Sequence, residues 1–194
     1  MRIVVLIAGI VVLASVWVSG QVAAGIRIAD VRFTGDTQLR DADLQGCATD
    51  VKTGRFEGPQ WEAQAASFVK SVCLQDNGYF TAQVTSASTQ LPDAGGTHQF
   101  TVTFTIEAGP QYRMDDVQFT GNHAIPANEL RALFPLQHGE IFRLRAVRDS
   151  IALMKKAYKS RGYPEWTPIP EFRFDKTKGL ITILIDMDEG KYVK

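Results

Sequence analysis

The chain repeats itself. Val31-Arg32-Phe33-Thr34-Gly35-Asp36 returns 86 residues later as Val117-Gln118-Phe119-Thr120-Gly121-Asn122. At the same offset Leu39, Leu44 and Phe56 meet Ile125, Leu130 and Phe142. Gly78-Tyr79 meets Gly162-Tyr163 at an offset of 84, and Phe100, Val102, Phe104, Ile106 and Gly109 meet Ile181, Ile183, Ile185, Met187 and Gly190 at 81. A slowly shrinking offset is what slightly different loops produce between two copies of one unit. The fold must therefore be one that roughly 80 residues can build, and then build again.

Each unit reads alike. It opens with a short strand, Ile28 to Phe33 and then Met114 to Phe119, whose alternation puts Val31 and Phe33, or Val117 and Phe119, on one face. Gly35 and Gly121 follow at turn positions that call for unusual backbone angles. A short helix comes next; in the second unit Pro126 stands where a first helical residue is tolerated, with Glu129 just inside. A longer helix follows, with apolar residues at Trp61, Ala65, Phe68 and Val72, or Val147, Ile151, Met154 and Tyr158. Steps of four, three and four make one apolar stripe on each, and Gly78 and Gly162 stop these helices. Two strands complete the unit. Phe100-Thr101-Val102-Thr103-Phe104-Thr105-Ile106 alternates strictly, and Leu180 to Met187 is apolar on both faces. The order strand, helix, helix, strand, strand predicts an α+β, two-layer module: a three-stranded sheet covered on one face by two helices. The expected division is 1–24 as a leader, 25–110 as the first module and 111–194 as the second, joined by the short linker Gly109 to Gln111, which Pro110 stiffens.

The leader reads as an export signal. Ile3 to Val18 is apolar almost throughout behind Arg2, and small residues follow. Val22-Ala23-Ala24 favours cleavage after Ala24, with Val18-Ser19-Gly20 as a second site; the competing reading is an uncleaved inner-membrane anchor, for which the run is short against the ~20 residues of a spanning helix. On either reading the remainder is exported. In an oxidising compartment Cys47 and Cys73, the only two cysteines, can form a disulfide. The alternative is two separate buried cysteines acting as small apolar residues.

The unit order, with those residues, resembles the polypeptide-transport-associated (POTRA) domain. The residues that carry the resemblance are the strand ending Phe-Thr-Gly-Asp/Asn, the Gly-Tyr after the second helix, and an acidic-Gly pair running to a Tyr. The last reads Glu107-Ala108-Gly109-Pro110-Gln111-Tyr112 in the first unit and Asp188-Glu189-Gly190-Lys191-Tyr192 in the second. The resemblance covers residues 28–194 and is closer in the second copy, which also has Gly139 near Phe142 and Arg161-Gly162-Tyr163. It implies a mixed sheet in which the middle strand of the sequence lies at an edge. It also implies a non-enzymatic, periplasmic docking or scaffold role in outer-membrane protein assembly or polypeptide transport. The implied partners are an outer-membrane barrel protein, assembly-complex subunits and unfolded outer-membrane clients. No stretch of the sequence supplies the eight or more strands of a membrane barrel, so the expectation is a tandem that works with a separate partner. The alternative is an inner-membrane-anchored periplasmic scaffold, as in septal proteins that carry such a module behind an anchor.

The mechanism open to such a module is strand addition, in which an extended client pairs with a free sheet edge. In the first unit the edge candidate is Thr81-Ala82-Gln83-Val84-Thr85-Ser86-Ala87-Ser88, rich in Thr and Ser and free of Pro. Its counterpart, Glu165 to Phe174, carries Pro168 and Pro170, which cannot donate to a ladder, so the first edge is expected to be the more receptive. The bland reading of Thr81 to Ser88 is an ordinary solvated strand. Charge is divided unevenly: residues 25–110 hold 6 basic and 10 acidic residues, residues 111–194 hold 14 and 11. Arg143, Arg145, Arg148, Lys155, Lys156, Lys159 and Arg161 concentrate the basic excess on one helix. This is a candidate contact for an acidic partner or a membrane surface, or simply the wet face opposite the apolar stripe. Trp61 belongs to a helical stripe and is expected in the core. Trp166 has no apolar period to claim it and is a candidate exposed partner contact.

Other classes are disfavoured. Lys+Arg 21 against Asp+Glu 21 lacks the basic excess of a general nucleic-acid binder. His98, His123 and His138 are expected in loops or turns with no nucleophile motif beside them, and no Gly-rich phosphate loop is present. Asp115-Asp116 and Asp188-Glu189 are neighbours on strands, so each pair points to opposite faces. No catalytic residue, metal site or cofactor is expected.

Overall fold

The computed structural model describes residues 25–194. The export signal read in residues 1–24 lies outside the described residues. The first module runs β1 (Ile26–Asp36), α1 (Asp41–Thr53), α2 (Trp61–Phe68), β2 (Gln83–Ala94) and β3 (Thr97–Glu107). The second runs β4 (Arg113–Thr120), α3 (Ala127–Ala132), α4 (Leu144–Ser160), β5 (Thr167–Asp175) and β6 (Leu180–Asp188). Both sheets are mixed. The last strand is central, parallel to the first and antiparallel to the middle one, giving the orders β1-β3-β2 and β4-β6-β5. The strand that each module uses in the middle of its sequence thus lies at a sheet edge.

Alternation determines the inner faces. Val102, Phe104 and Ile106 of β3 are fully buried, as are Ile181, Ile183 and Ile185 of β6. Each set lies over its module's helices and makes a separate core. The expected stripe holds on α4, where Val147, Met154 and Tyr158 are buried. It shifts on α2. A π-helical turn, Val69–Leu74, continues that helix with more residues per turn, and the buried residues step by four, as Trp61, Ala65, Val69 and Cys73, while Phe68 and Val72 lie on the flank. Cys47 of α1 and Cys73 of that turn are joined by a disulfide. The first helix also departs from expectation: α1 has 13 residues where α3 has 6.

Gly35 and Gly121 close the first strands with φ of 83° and 72°. A Cβ at these positions would sit 2.4 Å from the Ile106 carbonyl oxygen and 2.3 Å from that of Met187. The glycine of the Phe-Thr-Gly signature is therefore a steric requirement where the first strand lies against the end of the central one.

Candidate functional site

The two middle strands occupy equivalent places but differ as edges. β2 pairs with β3 in unbroken register from Gln83↔Glu107 to Leu91↔Gln99. Those nine residues, Gln83 to Leu91, include no charge, no Pro and no Gly. Gln83, Thr85 and Ala87 are exposed on one face, while Val84, Ser86 and Ser88 are half-buried on the face toward α2. Two residues assigned to this edge from sequence do not belong to it: Thr81 and Ala82 precede the strand, and Ala82 is fully buried in the first core. The strand instead runs further, to Ala94, with Pro92 and Asp93 at its far end.

The other three edges are guarded. In β5, Pro168 pairs with Met187 and Pro170 with Ile185. In β2 the residues opposite the equivalent positions, Ile106 and Phe104, are Val84 and Ser86. Val84 and Ser86 are thus the register equivalents of the two prolines, whose missing N–H groups belong on the open side of an edge strand. β4 has a bulge between Met114 and Val117, where the Asp116 carboxylate accepts the Val117 N–H at 2.8 Å. Its outer side is also bonded, since the Met114 N–H donates to the Glu140 carbonyl and the Gly139 N–H to the Met114 carbonyl, each at 2.8 Å. β1 has a bulge between Ile28 and Asp30 and carries Arg27, Asp30 and Arg32, with Asp30 paired to Arg32 and Lys52. Bulges, charges and prolines are how edges avoid unwanted pairing. Among the described edge strands only β2 presents a long stretch without one.

A groove runs beside that edge, lined by Ala63, Ala66, Ser67 and Lys70 from the α2 side and by Gln83 to Ser86 from the strand. It is open because the helix residues facing it are small. Just past its Ser86 end the Ser88 hydroxyl donates to the Glu62 carboxylate at 2.6 Å, and the Ser86 hydroxyl reaches the Glu62 carbonyl at 3.4 Å. The helix therefore runs opposite to β2: Glu62 is bonded to Ser86 and Ser88, and Lys70, two turns on, lines the groove with Gln83 and Val84.

The remaining candidate residues are placed differently. Trp166 is not an exposed contact: it is 4% exposed in the second core, stacked on Tyr158 with ring centroids 5.0 Å apart and planes 10° apart. Its lack of a helical or strand period misled because it sits in a turn, where burial follows no period. Arg145 and Arg148 face the first module. Both pair with Asp76, whose carboxylate also accepts the Arg145 backbone N–H at 2.6 Å and so caps the start of α4 from outside the module. Arg143 lines the cleft beside them with Asp76. Lys155, Lys156 and Lys159 stay on the exposed face of α4. His98 lies in β3, 3.0 Å from Asp93 across the hairpin, rather than in a loop.

The joint between modules was not foreseen. Phe80, directly after Gly78-Tyr79, leaves its own module and packs among Phe142, Phe172 and Phe174 of the second, at 5.4, 4.8 and 5.3 Å between centroids. The Tyr112 N–H donates to the Gly78 carbonyl at 2.8 Å, and Gln111 donates to the Asn77 carbonyl. Gly78 has φ of 89°, and a Cβ there would meet the Tyr112 carbonyl oxygen at 2.9 Å. In the sequence the second copy has Pro164 where the first has Phe80.

Comparison with known proteins agrees with this architecture. Residues 112–190 match the POTRA family, described as a surface antigen variable number repeat. Over 143 residues the chain is 28% identical to a Treponema pallidum (strain Nichols) protein named for outer membrane protein assembly; the match covers 70% of this chain and 17% of that relative's length. Among solved structures, POTRA domains 3–5 of Haemophilus influenzae BamA superpose with a TM-score of 0.64 at 22% identity, covering 87% of this chain and 67% of that one. BamA of Haemophilus ducreyi lacking POTRA domains 1–3 gives 0.59 at 24% identity, over 84% of this chain and 29% of that one. The second module thus matches the POTRA family over nearly its whole length, and the module before it repeats the same fold.

Proposed function

We propose that this protein is a non-enzymatic periplasmic scaffold of outer-membrane protein assembly or polypeptide transport, and that its first module binds extended clients by strand addition to β2. The partners on this reading are an outer-membrane barrel protein, subunits of its assembly complex, and clients that have not yet folded. The observation that carries the reading is the unguarded stretch Gln83 to Leu91 beside three guarded edges. Backbone pairing tolerates many client sequences, which suits unfolded segments. The relative named for outer membrane protein assembly supports the location and the process.

Photo-crosslinking in the source cell tests this. A photoreactive residue is placed singly at each position from Gln83 to Ser88, and captured proteins are identified by mass spectrometry. Adducts to a barrel protein or its nascent clients, alternating in strength along the strand, are expected. Capture of inner-membrane proteins alone would replace this reading with the anchored scaffold.

A further inference from the structure

Resting on the strand-addition reading, we infer that the groove beside β2 selects the charge order of the client strand. It takes a segment with a basic residue at one position, a small or apolar residue two positions on and an acidic residue four positions on. Opposite charges stand along the groove: Lys70 lines it together with Gln83 and Val84, and Glu62, bonded to Ser86 and Ser88, stands just past the Ser86 end. Between them its floor is Ala63, Ala66 and Ser67.

The spacing decides the pattern. Glu62 and Lys70 are eight residues apart, a rise of about 12 Å along a helix. Four residues of an added strand span about 13 Å, and an even step keeps both side chains on one face. A client beside β2 therefore meets both charges with residues i and i+4 of its groove-facing row, and i+2 lies over the small residues between. Direction follows from pairing. β2 runs from the Lys70 end to the Glu62 end, and the more stable antiparallel partner runs the other way. Its first inward residue faces Glu62 and must be basic; its fifth faces Lys70 and must be acidic. The hydroxyl of Ser88 uses one of the Glu62 lone pairs and holds the carboxylate against β2, leaving others to accept from a client cation. The outward residues of the client lie with Gln83, Thr85 and Ala87 in water and carry no selection.

The test uses two fluorescein-labelled peptides of equal composition, one with a Lys-Thr-Leu-Thr-Glu core and one with Glu-Thr-Leu-Thr-Lys, flanked by threonines. Binding to residues 25–194 is read by anisotropy at low and high salt. The first peptide is expected to bind roughly three- to tenfold tighter, with the difference shrinking in salt. The exchanged protein, Glu62→Lys with Lys70→Glu, should reverse the order. If that variant fails to melt cooperatively, Glu62→Gln with Lys70→Met serves instead, and the difference between peptides should vanish. Equal binding of both peptides to the unaltered protein, with both weakened by proline at Val84 and Ser86, would overturn the charge selection and leave strand addition standing. Failure of both peptides to bind would overturn the two together.

Discussion

Replacing Val84 and Ser86 with proline would give the first module the edge that the second already has. The register makes the exchange specific: Val84 faces Ile106 and Ser86 faces Phe104 as Pro168 faces Met187 and Pro170 faces Ile185. The second sheet keeps its full ladder with those prolines, so the missing N–H groups are the outward ones, and the β2–β3 ladder should survive. The double variant removes two donors available to an added strand. At about 0.5–1.5 kcal/mol net per backbone hydrogen bond, client affinity should fall by roughly 1–3 kcal/mol, or 5- to 150-fold. The cost to the fold is smaller. Val84 is only half-buried against the first core, and Ser86 loses one 3.4 Å contact with Glu62, so stability should change by about 1 kcal/mol or less. Anisotropy with an extended peptide and a melting curve on the same sample separate the two effects. Unchanged affinity with an unchanged melting temperature would refute client pairing at β2. Loss of cooperative melting would refute the register argument. The reciprocal variant, Pro168→Val with Pro170→Ser, should create a second binding edge.

Other consequences can be checked by simpler means. Changing Cys47 and Cys73 to alanine removes a 26-residue loop closure and should cost the first module about 3.5 kcal/mol in urea unfolding, less any strain released; a loss under about 1 kcal/mol would place the bond outside the folding unit. Phe80→Ala removes a ring that touches three rings of the other module and should cost about 2–3 kcal/mol. It should also broaden the small-angle scattering profile, and an unchanged profile would count against Phe80 as the pin of the joint. Gly121→Ala puts a methyl 2.3 Å from the Met187 carbonyl at a φ of 72° and should destabilise the second module by more than about 2 kcal/mol, read by thermal melting.

The repeat, the alternation of β3 and β6 and the stripe of α4 are local periodicities, so residues near in sequence reveal them without knowledge of any contact. They were enough to read the module and its two copies and to find the segment of β2, though two residues early at its start and six short at its end. The resemblance to POTRA domains added the mixed sheet and the edge position of the middle strand. What local pattern could not settle was where each side chain meets residues far away. Trp166 looks unattached in sequence because its partner, Tyr158, belongs to the preceding helix and the two stack only after the turn folds back. Nothing local to Phe80, which follows Gly78-Tyr79, says that its ring packs in the other module. Along α2 and the π-helical turn after it the buried residues fall at Val69 and Cys73 rather than Phe68 and Val72, one residue on, because a change of helix type alters the residues per turn and no local periodicity announces it. The sequence alone determined that β2 is uncharged and free of proline over nine residues. Only the tertiary structure decided that this stretch is the unguarded edge, because a free edge is defined by what pairs on each side of a strand, and that depends on how distant segments come together.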